Sequence, residues 1–225
     1  MTRMQGNGAA GRRFLIGSRL GITFDVAAQS PDDAHVDLSV ACMFEHEAAG
    51  ASLSGGLLQL DAALGGALTS ARASGSFRGH LLDSLLVTSP PSPVQAQAIL
   101  VVGLGDPQTL DADALSRACA FAVTQAERMR AVSAAFAPNL LDAGIRLPAD
   151  FSAARHMLSG AFSALALSDR LETAKLAVPS LLRHWSFDAG AAHFDAVADE
   201  FANAFAASAS QAASDARDNN PTGRS

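Results

Sequence analysis

Hydrophobic positions along this 225-residue chain switch between a period of two and a period near 3.6, and the switches mark out strands and helices. Leu20, Ile22, Phe24 and Val26 alternate with Gly21, Thr23 and Asp25, the pattern of a half-buried strand. Val36, Leu38, Val40, Cys42 and Phe44 do the same against Asp37 and Ser39. Leu53, Leu57, Leu60, Leu64 and Leu68 then fall on one helical face, which Gly65 and Gly66 weaken. Phe77-Arg78-Gly79 predicts a turn before a strand from about Leu81 to Thr88, and Pro90, Pro91 and Pro93 break the chain after it.

The second half continues the alternation. Ala98 to Val102 is apolar at every position, as in a strand covered on both faces. Asp111 can cap a helix whose inner face is Leu115, Ala118, Ala122, Ala126 and Met129. A short strand is expected near Val132 to Ala137, closed by Pro138. Ala154, Met157, Leu158, Ala161 and Leu165 predict the next helix. A late strand around Leu181 to Phe187 leads into a helix with Phe194, Val197, Phe201 and Phe205 on one side. Interleaved strands and amphipathic helices predict an α/β layered fold, and the opening pair of strands makes the sheet mixed. Residues 1–11 read as a flexible lead-in, 12–207 as one domain, and 208–225 as a disordered tail rich in Ser, Asp and Asn.

Composition narrows the function classes. The 49% hydrophobic content supports one sizeable core, and the net charge of −6 argues against nucleic-acid or anionic-membrane partners, which need a basic face. Lys175 is the one lysine among the 16 basic residues, and with the heavy Ala content this reads as a high-GC bacterial genome. Cys42 and Cys119 are expected as buried free thiols of a reducing compartment. No apolar run reaches the length of a membrane span. Arg12-Arg13-Phe14-Leu15-Ile16 resembles the start of a twin-arginine export signal, but Arg19 and Asp25 interrupt the apolar stretch that such a signal needs, so a cytoplasmic protein is expected.

Few residues suggest chemistry. Gly103-Leu104-Gly105 begins like a dinucleotide fingerprint, but Gln108 stands where the third glycine belongs. Glycines at a strand exit let amide N–H groups face an anion, whereas Asp106 puts a negative charge where a phosphate would sit. A turn demanded by the buried strand is the plainer reading. Glu45-His46-Glu47 is the most ligand-like cluster, yet on a strand end its side chains would not converge, and a solvated end is expected. His35, His80, His156, His184 and His193 are scattered. Asp169, Glu172 and Lys175 predict an exposed helical face. Arg183 and Trp185 on the late strand are candidates for a partner interface, although an ordinary core position is the plainer reading of the tryptophan. No cofactor and no metal site are expected.

Residues from about 20 to 205 resemble the N-terminal domain of the cytosolic leucine aminopeptidase family. The resemblance is carried by Asp61-Ala62-Ala63-Leu64-Gly65-Gly66, by Gly75-Ser76-Phe77-Arg78-Gly79, and by Val101-Val102-Gly103-Leu104-Gly105 with the later Ala114-Leu115-Ser116-Arg117-Ala118. It implies a three-layer α/β/α, macrodomain-like fold with a mixed central sheet. It also implies that metal ligands and catalytic arginine belong to a C-terminal domain, whose N-T-D-A-E-G-R signature does not occur in this sequence.

The expectation is therefore a stand-alone, non-catalytic module for protein assembly or regulation. Its partner would be a second copy or a separate aminopeptidase catalytic subunit. The alternative is a nucleotide or ADP-ribose binder, with Ser54-Gly55-Gly56 and Gly103-Leu104-Gly105-Asp106 as its phosphate-facing turns.

Overall fold

The computed structural model describes residues 11–140, 145, 148 and 150–218. In chain order it has β1 (Arg13–Arg19), β2 (Ile22–Ala27), β3 (Leu38–Met43), α1 (Glu45–Ala48), α2 (Gly55–Ala63), α3 (Ala67–Ala73) and β4 (Ser84–Val87). The second half adds β5 (Ala98–Gly103), α4 (Ala112–Arg128), β6 (Ser133–Ala137), α5 (Ala153–Thr173), β7 (His184–Asp188) and α6 (Gly190–Asp218). The strands form one sheet in the order β1-β2-β7-β6-β3-β5-β4. Its five inner strands run parallel, and β1 and β4 close the two edges antiparallel, so the sheet is mixed as expected.

Side-chain alternation sorts each inner strand into two cores. Leu38, Val40 and Cys42 of β3, with Leu100 and Val102 of β5, face a core completed by α4, α5 and α6. Ala41, Met43, Ile99 and Val101 face the opposite core, which holds Leu53, Leu57, Leu60, Leu64 and Leu68. The outcome is a three-layer α/β/α fold with a mixed central sheet, as the resemblance implies. Asp111 accepts a hydrogen bond from the Ala114 amide at 2.8 Å and starts α4, as its place before an apolar face predicts.

Several expectations shift by local physics. Leu20 is not in a strand: with φ 50° it shares the two-residue turn of the β1–β2 hairpin with Gly21, so the arginine-led stretch from Arg13 becomes edge strand β1. β3 is buried at every position, Ser39 included, because helices cover both its faces. The half-buried reading fails there. The leucine-rich face is split into α2 and α3 at Gly65 and Gly66, although all five leucines still reach one core. Position 208 lies inside α6, which runs to Asp218 where a tail was expected. Residues 1–10 and 219–225 fall outside the described residues.

Candidate functional site

The inner strands all point their C-terminal ends to one edge, the edge at which α/β sheets hold ligands when they bind any. A cleft of about 490 Å³ opens there over β2, β7 and β6. Gln29 and Pro31 after β2, Asn139 after β6, and Asp188 at the end of β7 line it. Gly55 and Gly56, at the N-terminus of α2, form part of its opposite wall, and Ser54 is the N-cap of that helix.

Asp188 is the most unusual group in this cleft. Its Oδ1 accepts a hydrogen bond from Gln29 Nε2 at 2.7 Å, while its Oδ2 is buried and has no hydrogen-bond partner. Burial pushes its pKa up to about 8, against the opposing pull of Gln29 and Arg13. Near neutral pH this carboxyl is therefore largely protonated and can donate a hydrogen bond. Asp25, on the neighbouring strand, moves the other way. Burial works upward there too, but the bonds from His184 at 2.9 Å and Arg13 at 3.1 Å outweigh it and hold the carboxyl below its usual range.

Gly103-Leu104-Gly105 is not part of this cleft. The Gly103 amide donates to the Asp83 carbonyl at 2.8 Å, the Leu104 amide to Met43 at 3.0 Å, and the Gly105 amide to Gly79 at 2.9 Å. No amide of the three is left for an anion. A Cβ on Gly103 would sit 2.1 Å from the His80 carbonyl oxygen, so glycine is required by the close approach of backbone. Gly105 has φ 77° and accepts the Glu45 amide on its carbonyl. Asp106 accepts from the Gln108 amide at 2.9 Å and caps a one-turn 3₁₀ helix, Pro107–Thr109. The two candidate turns are thus apart in role: Gly55 and Gly56 line a cleft, and Gly103 to Asp106 build the exit of β5.

The remaining candidates resolve in the same way. Glu45-His46-Glu47 forms a helical turn rather than a strand end. Glu47 is buried there and accepts from the Phe44 amide at 2.9 Å, while Glu45 pairs with His80 at 2.8 Å. Among the described residues no three His, Cys, Asp or Glu side chains gather as a metal-binding group. Cys42 and Cys119 are buried free thiols. Asp169 and Lys175 are exposed, but Glu172 is half-buried and accepts from the Ser180 amide at 2.6 Å. Trp185 is fully buried, stacked on Phe136 and edge-on to Phe187, so it cannot anchor a partner at the surface. Arg183 is exposed, with its guanidinium donating to the Ser180 and Leu182 carbonyls.

Sequence reasoning passed over Asp188 and Gln29. A signal was present: Ser186 and Asp188 alternate with the core residues Trp185 and Phe187, placing polar groups on the other face of the same strand.

Residues 41–175 match the family model described as the N-terminal domain of the cytosol aminopeptidase family. A comparison with curated proteins finds no match. Among solved structures, a tomato leucine aminopeptidase variant is 18% identical with a TM-score of 0.53, over 74% of this chain and 32% of that one. The chain thus spans about a third of that enzyme's length. A Trypanosoma brucei macrodomain in complex with ADP is 14% identical with a TM-score of 0.54, over 81% of this chain and 68% of that one. An Oceanobacillus iheyensis macrodomain variant is 10% identical with a TM-score of 0.58, covering 84% and 95%. At these identities the structural likeness speaks for the fold.

Proposed function

We propose a protein-contact role for this chain, which belongs to the cytosol aminopeptidase family through that family's N-terminal domain. In this reading it is a non-catalytic module that assembles with a second copy or regulates a separate aminopeptidase catalytic subunit. The observation that carries the reading is an apolar band at the edge of the sheet opposite the cleft. Leu176 and Val178, 76% and 70% exposed, project from the connection between α5 and β7, and Val132, Leu171 and Leu181 are exposed beside them. Backbone bonds hold Leu176 at Leu171 and Arg183 at Val132, and the connection between them is fixed by the Ser180 amide donating to Glu172 and by Arg130 donating to the Pro179 carbonyl. Large exposed apolar side chains gathered near the N-terminal ends of β6 and β7 favour a contact surface there.

Sedimentation equilibrium of the chain, alone and with a catalytic subunit of the family, tests this. A species heavier than the 23.0 kDa chain is expected, lost when Leu176→Ser and Val178→Ser are combined. A chain that stays at its own mass in both mixtures overturns the reading.

A second reading, a nucleotide or ADP-ribose binder, is favoured by the cleft at the C-terminal strand ends with Gly55 and Gly56 in its wall. One structural neighbour is a macrodomain in complex with ADP. A ligand at a hundred times its Kd adds about 2.7 kcal/mol of apparent stability, so a thermal titration that stays flat with ADP-ribose removes this reading.

A further inference from the structure

Away from the cleft and the apolar band, α5 and α6 leave a groove of about 660 Å³ between them. Leu158 and Phe162 of α5 are buried beneath its floor, and its apolar surface is formed by the exposed Leu167 of α5 with Ala204 and Ala207 of α6. Three arginines border it: Arg155 and Arg170 from the two ends of α5, and Arg19 from the end of β1. The Arg19 guanidinium lies 4.3 Å over the Phe162 ring.

Charge sets this groove apart. The chain carries 22 acidic residues against 16 basic ones, yet among the described residues no carboxylate lines the groove. Among the described residues the ion pairs of arginine are those of Arg12, Arg13 and Arg117, so Arg19, Arg155 and Arg170 form none. Three guanidinium groups without a carboxylate partner, around one apolar floor, are complementary to an occupant that brings carboxylates and apolar side chains together.

We infer that the α5–α6 groove docks an acidic, amphipathic helix of a partner protein. Arg155 and Arg170 are fifteen residues apart on one helix, a rise of about 22 Å. A small anion cannot span that distance, whereas about four turns of a helix can. An amphipathic helix laid between α5 and α6 puts its apolar face on the exposed Leu167 of α5 and on Ala204 and Ala207 of α6, and its carboxylates against the flanking arginines. A single nucleic-acid strand fits less well, because the Phe162 face is already covered by Arg19 and offers no base-stacking platform. The inference goes beyond the assembly reading, since it uses another surface and does not require self-association.

The test is fluorescence anisotropy with a synthetic peptide of about 20 residues, leucine and alanine on one helical face and glutamate on the other. Binding is expected that weakens with salt and falls about tenfold when Arg155→Glu and Arg170→Glu are combined. Arg155→Gln with Arg170→Gln gives a smaller loss and serves if the charge reversal disturbs folding, which circular dichroism checks. The proposal is overturned by any of three results: no binding, equal binding of a scrambled peptide with the same composition, or tighter binding of a single-stranded oligonucleotide. A chain that stays at its own mass both alone and with the catalytic subunit, yet binds the peptide, would sink the assembly reading and leave this one standing.

Discussion

At the exit of β5, every amide of Gly103, Leu104 and Gly105 ends on a backbone carbonyl. At the exit of β7, on the same edge of the same sheet, Asp188 keeps one carboxylate oxygen buried with no partner. The first region resembles a known anion-binding sequence and is closed. The second has no motif and remains chemically open. A glycine pair can serve close backbone packing as well as ligand approach, and the fate of its N–H groups separates the two.

The sharpest test of this contrast is Gly103→Ala. A methyl 2.1 Å from the His80 oxygen and 2.6 Å from the Gly79 carbonyl carbon forces backbone to move, and a loss of about 3 kcal/mol is expected by chemical denaturation. At Gly56 the methyl meets the edge of the Pro31 ring at 2.8 Å, and about 1 kcal/mol is expected. Equal losses at the two sites would break the comparison.

The pH response of Asp188 tests the other side of the contrast. Its folded pKa of about 8 lies above the ordinary 3.8, so the native state holds a proton that the unfolded chain releases. This contribution is fully present below about pH 4 and is lost as pH rises towards about 8, at a slope of at most about 1.4 kcal/mol per unit. Denaturation across that window should show the decline, and Asp188→Asn should flatten it. Asp25 has the opposite sign, because its pKa is lowered: its contribution is present above the unfolded pKa and is lost as pH falls through the folded one.

Smaller effects complete the series. Gly105→Ala places a side chain at φ 77° with the nearest atom 3.6 Å away, so strain alone acts, and about 1 kcal/mol is expected. Asp106→Ala removes an exposed cap from a single 3₁₀ turn, and about 0.5 kcal/mol is expected in the same measurement. An Asp106 variant that instead creates tight nucleotide binding would reopen the β5 exit as a site.

Much of the architecture was legible because hydrophobic period is a local property. β5, α4 and α5 stand where their patterns place them, and the Leu53 to Leu68 series reaches one core despite its break. The cleft was less legible. What makes Asp188 unusual is burial by elements that no window of sequence contains, and its hydrogen-bond partner, Gln29, lies 159 residues earlier. Trp185 takes the plainer of its two expected places, in the core, but its neighbours were not legible, since Phe136, on which it stacks, and Phe24, its partner in register, come from strands distant in the chain. Glu47 did carry a local signal, a carboxylate three residues after the residue whose amide it receives, and that spacing marks a helix start rather than a strand end.

The order of the strands also dictates when the sheet can be completed. β2 lies between β1 and β7, and Asp25 meets His184 across a separation of 159 residues. As the chain leaves the ribosome, the β1–β2 hairpin can form early, but its inner edge has no strand to receive it until β7 emerges. Such long-range parallel pairing is slow to form, and the unpaired edge is open to mispairing meanwhile. The first hairpin made is therefore among the last pieces to be locked in place.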